Sequence, residues 1–122
     1  MRALLASLLL ALGLAGASAH EQRIGPRGGM LVDAGSYHIE LVTSETMVEI
    51  HLSDAQDKPL PAAGFKALAI LAVDGKSARI TLEPAPDGAK LVGKASDALP
   101  KRVKGAVQLT APDGRTSTGR IN

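Results

Sequence analysis

Cysteine is absent from all 122 residues. That excludes a disulfide framework, and a lipid anchor as well, because no thiol follows the first apolar run. Stability must come from aliphatic packing, unless a bound metal adds to it. Aromatic residues are nearly missing too: there is no Trp, one Tyr (Tyr37) and one Phe (Phe65). Without a stacking platform, and with Lys and Arg dispersed along a chain of formal net charge +2, nucleic-acid binding has little support. Beyond the N-terminal region no apolar run approaches the ~20 residues needed to cross a bilayer.

The N-terminal region has its own logic. Met1 and Arg2 precede an apolar segment, Ala3 to Leu14, and Ala17-Ser18-Ala19 supplies a small-x-small ending. This reads as a secretory signal peptide over residues 1–19, cleaved after Ala19 so that the exported chain starts at His20. Export without cysteine favours a bacterial periplasm, with no membrane contact expected once the leader is gone. Arg2 leaves with the leader, so the remainder is close to neutral. Residues 20–29 (HEQRIGPRGG) form an extended, Gly- and Pro-rich lead-in, and residues 30–122 form the domain.

Strand signals fill that domain. Met30 to Val32 makes a short first strand, and Tyr37 to Asp54 alternates apolar and polar residues about a polar break, the mark of a β-hairpin. Ala55 to Pro61 reads as an exposed loop. Phe65 to Val73 is Ala-rich, but it is short and ends at Asp74-Gly75, a hairpin-turn signal, so it is expected as a strand rather than a helix. Further strands are expected over Ser77–Leu82, Lys90–Ala95, Val103–Leu109 and Thr116–Ile121. Seven to eight short antiparallel strands with turns at roughly 8–12-residue spacing predict an all-β, immunoglobulin-like β-sandwich.

The hairpin carries the chemistry. Tyr37, Ile39, Leu41, Val48, Ile50 and Leu52 share one face, while His38, Glu40, Glu49 and His51 share the other. A turn at Ser44-Glu45 sets His38 opposite His51 and Glu40 opposite Glu49; a turn at Glu45-Thr46 sets Glu40 opposite His51. In both arrangements the four polar side chains are neighbours. Opposed carboxylates need neutralising, and a divalent cation could do it. Two imidazoles with carboxylates suit copper, zinc or nickel better than magnesium or calcium. The competing reading is an ordinary solvated sheet face.

His20 adds an α-amino group and an imidazole that could chelate copper together with His38 or His51, if the exported chain begins there; a frayed terminus is the alternative. Met30 is expected to pack, whereas Met47 falls on the polar face and could serve Cu(I). The Gly25-Pro26-Arg27-Gly28-Gly29 stretch lacks the pattern of a phosphate loop, and no elbow motif surrounds Ser36 or Ser44. An enzyme is not indicated.

The run GPRGGMLVDAGSYHIELV, followed by LSDAQDKPLPAAG, resembles small exported bacterial metal-resistance proteins and the N-terminal region of periplasmic adaptors of heavy-metal efflux pumps. The resemblance covers about the first half of the exported chain. It implies a metal-related role for His38 and Glu40, which match the Tyr-His-x-Glu-Leu pattern, and an efflux component as a partner. Arg27 stands where that pattern often has His, removing one possible ligand. The combined expectation is a periplasmic, non-enzymatic transition-metal binder, copper first and zinc second. Its metal residues are His38, His51 and Glu40, then Glu49 and His20. The competing expectation is an exported interaction module that contacts a protein partner without metal.

Overall fold

Burial alternates with a period of two along most of the strands, and that alternation builds the architecture of the computed structural model, which describes residues 23–122. The expected leader, its cleavage point and His20 lie outside the described residues. Eight antiparallel strands are present: β1 (Met30–Ala34), β2 (Tyr37–Ser44), β3 (Met47–Ser53), β4 (Lys66–Val73), β5 (Lys76–Pro84), β6 (Leu91–Lys94), β7 (Lys104–Thr110) and β8 (Thr116–Ile121). The fold is all-β, and no described segment is helical.

The strands pair in the order β1-β2-β3-β6-β5-β4-β7-β8. Two four-stranded halves, β1-β2-β3-β6 and β5-β4-β7-β8, contribute to one apolar core and remain joined through β5 and β6. That junction is narrow, with only Glu83 opposite Val92 and Pro84 opposite Leu91. Gly93 makes the corner possible: a Cβ there would stand 2.5 Å from the Thr81 carbonyl oxygen, so any side chain would push β6 away from β5. At the other end β1 lies against β8 without a hydrogen-bonded ladder, leaving the sheet nearly closed.

The core is aliphatic. Ile39, Leu41, Val48 and Ile50 from the hairpin meet Leu71, Leu82, Leu91, Val107, Leu109 and Ile121, all essentially inaccessible to water. Each such side chain contributes roughly 1.5–3 kcal/mol on burial. The chain's two aromatic rings close one side of this core: Tyr37 and Phe65 stack edge to face, with centroids 5.3 Å apart and an interplanar angle of 89°. Phe65 to Val73 forms a strand as the Asp74-Gly75 signal predicts, with positive φ at both turn residues. It is central, pairing with β5 on one side and β7 on the other.

Candidate functional site: a cleft on the outer face of the first half

The β2–β3 hairpin fixes the site's register. Ser44 faces Met47, so the turn is Glu45-Thr46, with Glu45 at φ 54°. Glu40 therefore lies opposite His51, Val42 opposite Glu49, and His38 opposite Ser53. Of the two arrangements expected, the second is the one adopted. Two direct oppositions are thereby corrected, His38 with His51 and Glu40 with Glu49. The four residues do point out of the same sheet face, but they divide into three separate charge groups.

Glu40 is the first. Although on the outward face, it is only 4% exposed and is the one buried charged residue among those described. The lead-in covers it. Residues 25–29 fold into a tight loop, with the Gly25 N–H donating to the Gly29 carbonyl at 2.9 Å and the Gly28 N–H to the Gly25 carbonyl at 3.0 Å. The Arg27 and Gly29 backbone N–H groups donate to Glu40 Oε2 at 2.8 and 3.0 Å, and Arg27 Nη1 donates to Oε1 at 3.1 Å. A Cβ on Gly25 would stand 2.4 Å from the Glu40 carboxyl carbon, so the loop can lie this close only with glycine there. Both carboxylate oxygens are engaged and Arg27 supplies the counter-charge; Glu40 needs no metal to neutralise it.

The second group is Glu49 with Lys90 and His51. Lys90 Nζ lies 3.1 Å from Glu49 Oε1, and His51 Nε2 lies 3.2 Å from Oε2. Burial alone would push the Glu49 carboxyl up, but the hydrogen bonds and charges of Lys90 and His51 outweigh it and hold the group below its ordinary value. Here too a protein cation stands where a divalent ion was expected.

The third group is centred on His38. Its Nδ1 is 2.6 Å from Asp57 Oδ1, and its Nε2 is 3.7 Å from Asp33 Oδ1. Asp57 is delivered by a tight turn after β3. Asp54 Oδ1 accepts the N–H groups of Gln56 and Lys58 at 2.8 and 2.9 Å, and Asp57 itself takes φ 63°, an uncommon conformation for a residue with a side chain. Asp33, across from His38 on β1, also accepts from Arg23 Nη2 at 3.1 Å.

Between the lead-in and the loop after β3, the Glu40 and His38 groups together with His51 line an open cleft of about 450 Å³, while Glu49 and Lys90 lie outside it. His38, Glu40, His51 and Ser53 form its wall, and Leu31 and Leu60 supply apolar surface. The two imidazoles are diagonal neighbours, a separation of roughly 7–8 Å between positions and somewhat less between their Cβ atoms. Among the described residues no three His, Asp or Glu side chains already converge as a ready ligand set. Met30 is buried in the core as expected, and Met47 is 41% exposed at the hairpin tip. Sequence reasoning missed Asp33, Asp57, Lys90 and the clasping role of Arg27, because each comes to the hairpin from a different segment.

In class, the chain is an eight-stranded antiparallel domain with a cleft on the outside of its sheet. Compared with known proteins, it matches no family model, no curated protein and no solved structure.

Proposed function

We propose that this is an exported, periplasmic, non-enzymatic protein that binds a transition-metal ion in the cleft, copper first and zinc second. The observation that carries the reading is the 3.7 Å gap between His38 Nε2 and Asp33 Oδ1. It is too long for a hydrogen bond. Yet it is close to the separation of two ligands that each stand ~2.0–2.2 Å from a shared tetrahedral ion. Asp57 would do the work of the carboxylate that commonly holds the other nitrogen of a metal-bound imidazole, fixing its tautomer and direction. His51, in the same cleft wall, is the next donor within reach of a side-chain rearrangement.

The ligand set is therefore His38 with Asp33, supported by Asp57 and extended by His51. Glu40 and Glu49 leave it, since Arg27 and Lys90 already neutralise them. Two protein donors with water completing the shell make an exchangeable site, suited to carrying or buffering an ion. Calorimetric titration of the purified protein with Cu(II) and Zn(II), read beside the melting temperature, is the test. Binding should vanish in His38→Ala and weaken in Asp33→Asn. No heat and no thermal shift at several-fold excess of either ion would sink the reading.

A further inference from the structure

Lys66, Arg79, Lys104 and Arg120 lie far apart in sequence, yet the register gathers them on one surface. β4 pairs with β5 and β7, and β7 with β8, so that Arg79, Ile70, Ala106 and Arg120 form one row across four strands. Lys104 lies two residues from Ala106 along β7, beside Ala72, and Lys66 lies at the far end of β4. At ~4.8 Å per strand step, Arg79 and Arg120 are roughly 14 Å apart. All four cations are exposed, and none makes a side-chain hydrogen bond or ion pair with a described residue. The one acidic strand residue on this face is Glu83, one position beyond the Ala67–Leu82 pair that ends the β4–β5 ladder and at the same end of the face as Lys66.

The rest of the face is neutral. Thr81, Gln108, Thr116 and Thr118 are exposed, and Leu68 and Ile70 are half-buried at its centre. A shallow hollow of about 340 Å³ is lined by Lys104, Gly105, Ala106, Arg120, Ile121 and Asn122. The face carries no aromatic or methionine side chain of the kind that anchors a protein interface, and no ring on which a base could stack. Unpaired cations without an anchor suit a partner that presents many anionic groups in a plane.

We propose that this outer face of β5-β4-β7-β8 docks reversibly onto an anionic lipid surface. Arg79, Lys104 and Arg120 would contact the headgroup phosphates, and the threonine hydroxyls would donate beside them. The His38 cleft opens from the other half of the sheet and is left clear. Nothing enters the hydrocarbon, and among the described residues no helix is long and apolar enough to cross it. Each cation near such a surface strengthens attachment about fivefold.

The test is cosedimentation of the full chain with vesicles containing about 30 mol % phosphatidylglycerol in phosphatidylcholine, against phosphatidylcholine alone. The N-terminal Met1, Arg2 and apolar Ala3–Leu14 run are present in every variant, so the difference between variants, rather than between vesicles, reads the face. Expected are a preference for the anionic vesicles and its loss as salt rises from about 0.05 to about 0.5 M. The pair Arg79→Gln with Arg120→Gln should weaken it roughly 25-fold. The pair Lys58→Gln with Lys94→Gln removes two exposed cations elsewhere, verifiably folded by circular dichroism like the first pair, and should keep the preference. Equal binding to both vesicles, or equal losses in the two variants, overturns the proposal. An unchanged preference in the arginine variant overturns it as well.

Discussion

Arg27 holds Glu40 twice, its backbone N–H on Oε2 at 2.8 Å and its guanidinium on Oε1 at 3.1 Å. The two bonds differ in worth. The guanidinium is half exposed, so its pairing is screened and contributes on the order of 0.5–1 kcal/mol. The buried Gly29 N–H also depends on Glu40, and stranding it costs about 1–3 kcal/mol. Glu40→Ala should therefore destabilise by on the order of 2–4 kcal/mol, while Arg27→Ala, which keeps its backbone donor, should cost under about 1 kcal/mol. Urea denaturation checks the difference. Equal losses in the two variants would mean that the charge pair, not the backbone contacts, secures the lead-in.

Gly25 tests the same contact from the opposite side. A methyl group 2.4 Å from the Glu40 carboxyl carbon must displace either the loop or the carboxylate. Gly25→Ala is expected to lose about 1–3 kcal/mol. Both changes release the same loop, so the double variant with Glu40→Ala should lose less than the sum of the single losses. Additive losses would show that the two positions act independently.

Much of this was legible in the residues. The alternation in Tyr37 to Asp54 marked both strands and their apolar face, and Asp74-Gly75 marked the next hairpin. The turn itself was not decided, because Ser44-Glu45 and Glu45-Thr46 carry similar turn chemistry and both preserve the apolar face. The polarity of His38 and Glu40 suggested a wet surface. Nothing in a local pattern says that a Gly-rich segment ten to fifteen residues upstream will fold over it. Lys90 and Asp57 reached the site through long-range pairing and a tight turn, which leave no periodic trace.

The aromatic pair is a separate test of the core. Phe65 packs edge to face on Tyr37 at 5.3 Å, where such contacts contribute about 0.5–1.5 kcal/mol beyond area burial. Phe65→Ala should cost about 3–5 kcal/mol, and Phe65→Leu, which keeps most of the volume, markedly less. Melting curves of the two variants decide it. A Phe65→Ala variant as stable as the parent would place the ring outside the cooperative core.

Glu49 contributes to the acid limb of stability. Its folded-state value lies below the ordinary 4.5 because Lys90 and His51 favour the carboxylate over the cost of burial. A group whose value falls on folding binds fewer protons in the native state. Its contribution is complete above the unfolded value and disappears as pH drops through the folded one. The loss should thus begin near pH 4.5 and continue below it. Lys90→Met removes the stronger partner and should raise the Glu49 value, which a carboxyl-carbon NMR titration reads directly. The same variant should flatten the acid limb of the stability curve, while leaving the Glu40 clasp intact because no bond joins Lys90 to it. A Glu49 titration unmoved by Lys90→Met would assign the depression to His51 instead.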